Sequence, residues 1–143
     1  MMAQAMELRI TNDLSQLPRV RDLVARAVRD GGFAPAYVNR LQIAVEEAVT
    51  NIIEHGLADR ARGAAEILIE VEGAPERFAV AITDDGQSFD PASIGEVDIT
   101  AHAATGRSGG LGVFLMRRIM DIVDYHAERG KGNRLVMIKH RPD

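Results

Sequence analysis

The chain has 143 residues, 46% of them hydrophobic and 4% aromatic, a formal net charge of −4 and no cysteine. That length suits one domain around one core, and the apolar fraction excludes a disordered chain. The missing cysteine excludes disulfides, thiolate catalysis and Cys-based zinc sites, and an acidic balance without a basic, aromatic-interleaved run argues against nucleic acid as a partner.

Met1 to Arg9 lacks the apolar core of a signal peptide, and no apolar run approaches the roughly 20 residues of a membrane span. A soluble, cytoplasmic protein without a membrane partner is the expectation. Met6 to Thr11 alternates apolar and polar residues, the pattern of a half-buried strand. Asn12, Asp13 and Ser15 are candidate helix caps, and Leu17, Val20, Val24 and Ala27 keep helical spacing up to Gly31-Gly32. Pro18 is tolerated because it falls in the first turn. Pro35 opens a second helix that should run to about Gly56, with Leu41, Val45, Ala48 and Ile52 as its apolar stripe. Glu66–Glu72 and Phe78–Thr83 read as two strands joined by a turn at Gly73-Ala74-Pro75-Glu76. From Gln87 to Ser108 periodicity is lost, and a loop that long in a compact domain is a functional lid or a disordered stretch. A third helix is expected from about Leu111 to Asp124 with Leu115, Ile119 and Ile122 inward. Tyr125–Glu128 begins a further strand, Gly130-Lys131-Gly132 turns the chain, and Arg134–His140 reads as the last strand. Few strands are separated by single helices. The expected class is therefore α+β, with an antiparallel-rich sheet and helices on one face.

Three segments carry chemistry. At about 100° per residue, Glu47 and Asn51 lie about 40° apart on the second helix, beside the apolar stripe, whereas Glu46 points elsewhere. The amide oxygen of Asn51 suits Mg²⁺, and a neighbouring carboxylate can take the proton of an attacking hydroxyl. A plain polar helix edge is the alternative. Asp84, at a strand end, can accept from an exocyclic amine such as that of adenine, and Gly86 leaves room for a flat ring; an ordinary Asp-Gly turn is the competing account. Ser108-Gly109-Gly110-Leu111-Gly112 opens the third helix with backbone N–H groups able to converge on an anion, and Arg107 can add a charged donor; a flexible hinge would look the same. His55, one turn beyond Asn51, either lines this site or caps the helix end. The four histidines lack metal-ligand spacing, and no P-loop is present.

Taken in order, these segments resemble the Bergerat-fold (GHKL) ATPases, and within them the anti-sigma-factor serine kinases of bacterial partner-switching systems. The resemblance spans about Leu8 to His140. It rests on Glu-Glu-Ala-Val-Thr-Asn at 46–51, on Asp-Asp-Gly-Gln-Ser-Phe-Asp-Pro at 84–91 and on Gly-Gly-Leu-Gly-Val-Phe-Leu-Met at 109–116. Met120 to Tyr125 and the closing Leu135 to Lys139 are similar to that branch as well. It implies an α/β sandwich, with a mixed, mostly antiparallel sheet and three main helices on one face. The whole of 1–143 would be one ATP-binding kinase domain with a mobile lid at about 87–108. Glu47 matches the general base, Asn51 the magnesium ligand and Asp84 the adenine contact, with Gly86 beside it. Gly110 and Gly112 match the phosphate-binding turn, in which Arg107, Gly109, Leu111 and Val113 take part. The implied cofactors are ATP and Mg²⁺. The implied partners are a sigma factor, held inactive, and a STAS-type anti-anti-sigma protein, phosphorylated on serine by a homodimeric kinase. The alternative is a nucleotide-binding partner-switch module that transfers no phosphate. The catalytic half of a histidine kinase is disfavoured, because no phosphoacceptor hairpin pattern is present. Two departures stand out. Ser88 stands where many relatives have the second glycine of the Asp-x-Gly-x-Gly pattern, and Asn133 or Arg134 stands where some relatives have a threonine near adenine.

Overall fold

The computed structural model describes residues 5–87, 116–128 and 132–142. Strand β1 is Met6–Thr11, followed by a 3₁₀ turn at Leu14–Gln16 and helices α1 (Leu17–Asp30) and α2 (Ala36–Asn51). A π-helical turn, Ile52–Gly56, continues α2 without a break. Strands β2 (Glu66–Gly73) and β3 (Arg77–Asp84) follow, then helical residues 116–119 (α3), β4 (Ile122–Glu128) and β5 (Gly132–His140).

The strands form one sheet in the order β1-β2-β3-β5-β4, and every described pairing is antiparallel. Register sorts the side chains. Ile10, Ile67, Ile69, Val71, Phe78, Val80, Ile82, Leu135 and Met137 share one core with Val20, Val24 and Val28 of α1 and Leu41, Val45 and Ala48 of α2. Those strand residues alternate along β2 and β3, so the sheet presents one apolar face to the helices. Ala79 and Ala81 of the central β3 point the other way, opposite Ile138 and Val136 of β5, and are buried between their neighbours. Burying each large aliphatic side chain contributes about 1.5–3 kcal/mol, and that common core fixes how α2 sits against the sheet.

Of the three candidate caps, Asp13 alone caps the helical start, accepting from the Ser15 amide at 3.0 Å. Asn12 instead ties β1 to the segment before β2: its Nδ2 donates to Ala61 O at 3.1 Å and its Oδ1 accepts from Ala65 N at 3.0 Å. The third helix stops short of the expected Asp124. Ile122 opens β4 and is 41% exposed, not inward. The pairing with β5 takes it, beginning at Asp121, whose amide donates to Ile138 O at 2.9 Å and whose Oδ2 accepts from His140 N at 2.7 Å. Apart from Gln87, the expected lid at 87–108 lies outside the described residues, as do Arg107, Gly109, Gly110, Leu111, Gly112 and Val113.

Candidate functional site

Burial of Leu41, Val45, Ala48 and Ile52 sets the rotation of α2 and leaves Glu47 and Asn51 at the border of its apolar stripe. Glu46 turns outward, as the helical angle requires. Its carboxylate takes a two-pronged contact from Arg21 of α1, with Nη2 at 2.6 Å from Oε1 and Nε at 3.2 Å from Oε2. The two acids are thus separated into a structural one and one that remains available.

Asn51 is 1% exposed. Its Nδ2 and the Oε1 of half-buried Glu47 are the buried side-chain atoms without a hydrogen-bond partner among the described residues. Leaving a buried polar atom unsatisfied costs roughly 1–3 kcal/mol, so two of them one helical turn apart mark a place where a ligand can complete what folding does not. The carboxyl of Glu47 is pushed up to about 7, first by burial and then by the charge of Glu54, seven residues on along the same helix face; proximity to Asn51 works the other way. Oε1 of Glu47 and Nδ2 of Asn51 themselves stay unpaired.

The second wall is the end of β3. Asp84 is 6% exposed. Its Oδ1 accepts from Gly86 N at 2.8 Å and from Asn133 Nδ2 at 3.1 Å. Burial raises its carboxyl above the usual range, while those two donors and Arg60 pull it down. The next residue, Asp85, is exposed and meets Arg60, with Nη2 at 3.4 Å from Oδ1.

The π turn joins the two walls. Gly56 O accepts from Gln87 N at 2.8 Å, so the end of the helix that carries Glu47 and Asn51 is bonded to the turn that follows Asp84. Such widened turns recur at functional sites. Gly86 has a packing reason for lacking a side chain: a Cβ there would collide with Gly56 O and lie 2.6 Å from Leu57 Cδ2. Its bare side faces the helix end, where the sequence suggested space for a ring. His55 is exposed in the last helical turn, where a basic residue suits the dipole.

Sequence reasoning left two positions open that the register decides. Asn133 lies directly opposite Asp84 and enters the site, whereas Arg134 reaches across the other face to Glu70 (3.2 Å) and Thr83 (3.4 Å). Gly56 was missed as a docking point; the signal was a glycine placed where the helix should end. The site fits Mg²⁺ by the chemistry of its donors, an amide oxygen and a carboxylate beside unpartnered atoms.

Comparison with known proteins shows the family. The profile of the histidine kinase-like ATPase domain matches residues 10–139. The chain is 34% identical over 113 residues to a protein named serine-protein kinase RsbW from Listeria monocytogenes serovar 1/2a, covering 76% of this chain and 69% of that relative. The protein of the same name from Listeria innocua serovar 6a matches to the same extent. That from Staphylococcus aureus (strain bovine RF122 / ET3-1) is 29% identical over 128 residues, covering 87% of this chain and 80% of the relative.

Proposed function

The chain belongs to the histidine kinase-like ATPase domain family, and from that premise we propose that it is a protein serine kinase that moves the terminal phosphoryl group of ATP to a serine of a protein partner. The observation that carries this reading is the pair of buried, unpartnered atoms, Oε1 of Glu47 and Nδ2 of Asn51, one turn apart on a helix whose end is bonded through Gly56 to the turn that follows Asp84.

Each residue has a task in that reaction. Asp84 accepts the exocyclic amine of the base. Asn51, through its amide oxygen, would hold Mg²⁺, which when bound neutralises phosphate charge. Glu47, with a carboxyl near neutrality, receives the proton of the serine hydroxyl as that oxygen bonds to the terminal phosphorus and ADP departs. Burial keeps the Glu47 carboxyl basic enough to take a proton.

The names of the relatives support the serine as acceptor. We further take the partners to be a sigma factor, held inactive, and a STAS-type anti-anti-sigma protein as the phosphorylated substrate. Strand β1 lies at one edge of the sheet, where a second copy can pair to form a homodimer. Residues 1–143 would act as one nucleotide-binding unit. The test is incubation with labelled ATP, Mg²⁺ and a STAS-domain protein. Label on a serine of that partner, lost in Glu47→Gln, is the expected result; nucleotide binding without label would favour a module that only grips its partner.

A further inference from the structure

Asn133 is the second residue of β5 and is 3% exposed. It follows Gly132, whose φ of 90° lets the strand start press against β3; a Cβ on Gly132 would lie 2.8 Å from Asp84 O. From that position Nδ2 of Asn133 reaches three acceptors: Gly86 O at 2.9 Å, Asp84 Oδ1 at 3.1 Å and Gln87 O at 3.5 Å. Two amide hydrogens serve the two shorter contacts. The Gly86 amide also donates to Asp84 Oδ1, at 2.8 Å. Both donors to the carboxyl therefore converge on one of its oxygens, and Oδ2 receives no bond from the described residues. A carboxyl tied at one oxygen from two directions cannot swing, and its other oxygen is left as an acceptor.

We propose that Asn133 determines base specificity: it holds the Asp84 carboxyl and the 84–87 turn so that Oδ2 accepts from an exocyclic amine, selecting adenine nucleotides over guanine nucleotides. The proposal rests on the nucleotide-binding reading above. At the corresponding edge adenine presents an amine donor and guanine a carbonyl oxygen. A carbonyl facing a fixed acceptor leaves both oxygens unpaired, and sites built around one hydrogen-bonding pattern reject the opposite one strongly. Without the Asn133 donor, the buried carboxyl is freer to turn and to hold a proton, and a protonated carboxyl can donate to a carbonyl. Asn133 is then a positioning residue, acting through Asp84 and not on the phosphates.

The experiment measures the Kd of ADP and of GDP, together with Tm, for the wild type, Asn133→Ala and Asn133→Thr. Wild type should prefer ADP. Asn133→Ala should weaken ADP about tenfold, the worth of one hydrogen bond to a charged group, while GDP changes less, so the preference narrows. Asn133→Thr keeps a donor and should recover part of the preference; it also carries the test if the alanine variant does not fold. An unchanged ADP preference in both variants overturns the proposal, as does an equal loss of both nucleotides with a fall in Tm, which is the mark of a merely structural residue. A wild type that binds neither nucleotide overturns the nucleotide reading itself and this proposal with it.

Discussion

Glu47 is held in a state that costs stability. Its carboxyl is raised from 4.5 to about 7, chiefly by burial. Below the unfolded value both states hold the proton, and folding carries no penalty from this group. As the pH rises from about 4.5 through about 7, the unfolded chain releases its proton first, and the folded state loses stability until it too has ionised. Removing the charge should therefore help. In the absence of nucleotide, Glu47→Gln should raise stability at pH 8 by about 1 kcal/mol, allowing for solvent screening, and leave it nearly unchanged at pH 4, as read from urea midpoints. An equal effect at both pH values would deny that ionisation is the cause. The same variant should cut phosphate transfer about 10²–10⁴-fold while retaining ATP binding, since a general base acts on the transition state and not on the bound nucleotide. Asn51→Ala should weaken Mg²⁺-ATP binding more than partner binding. Equal losses by calorimetry would indicate misfolding, because Asn51 is buried.

At the scale of elements, close backbone approach does as much as side chains. The π turn brings Gly56 against the turn after Asp84, and Gly86 is the residue that lets it come so near. Gly86→Ala forces the two apart. It should cost about 1–3 kcal/mol of stability and weaken nucleotide binding with it. Gly73 makes a similar approach between β2 and α1, where a Cβ would strike Ala27 O. Gly73→Ala should lower Tm at least as much but leave the nucleotide Kd of the folded fraction unchanged. Thermal melts and binding titrations on the two variants separate packing at the site from packing elsewhere; matching binding losses would contradict the assignment. These contacts were not legible in the sequence, because a glycine announces freedom without naming what approaches it. The end of the third helix was unreadable for a related reason. Met120 to Asp124 fits either period, and only the hydrogen bonds between Asp121 and β5 and the pairing of Ile122 with Ile138 start a strand within it.

For the whole molecule, the sequence spoke clearly where a period was long and one face was buried. Strand β1 appears with its expected bounds, α1 begins at Leu17, and the stripe of α2 is buried residue for residue. That stripe is why the angle between Glu46 and Glu47 is legible in the sequence: rotation of the helix about its axis is set by Leu41, Val45, Ala48 and Ile52, and the Arg21–Glu46 contact follows from it. Long-range partnership was hidden. Nothing in the local sequence says that Asn133, 49 positions away, bonds to Asp84, or that Arg134 serves the opposite face; sheet register decides both. The antiparallel order β1-β2-β3-β5-β4 is what carries the end of β3 and the start of β5 to the helix end that bears Asn51. The measurement that tests this convergence most directly is a crystal structure with Mg²⁺ and a non-hydrolysable ATP analogue. The expected result has the base amine on Asp84, the metal on the amide oxygen of Asn51 and the terminal phosphate beside Glu47. A nucleotide bound elsewhere, or a Glu47 turned away from the terminal phosphate, would contradict it.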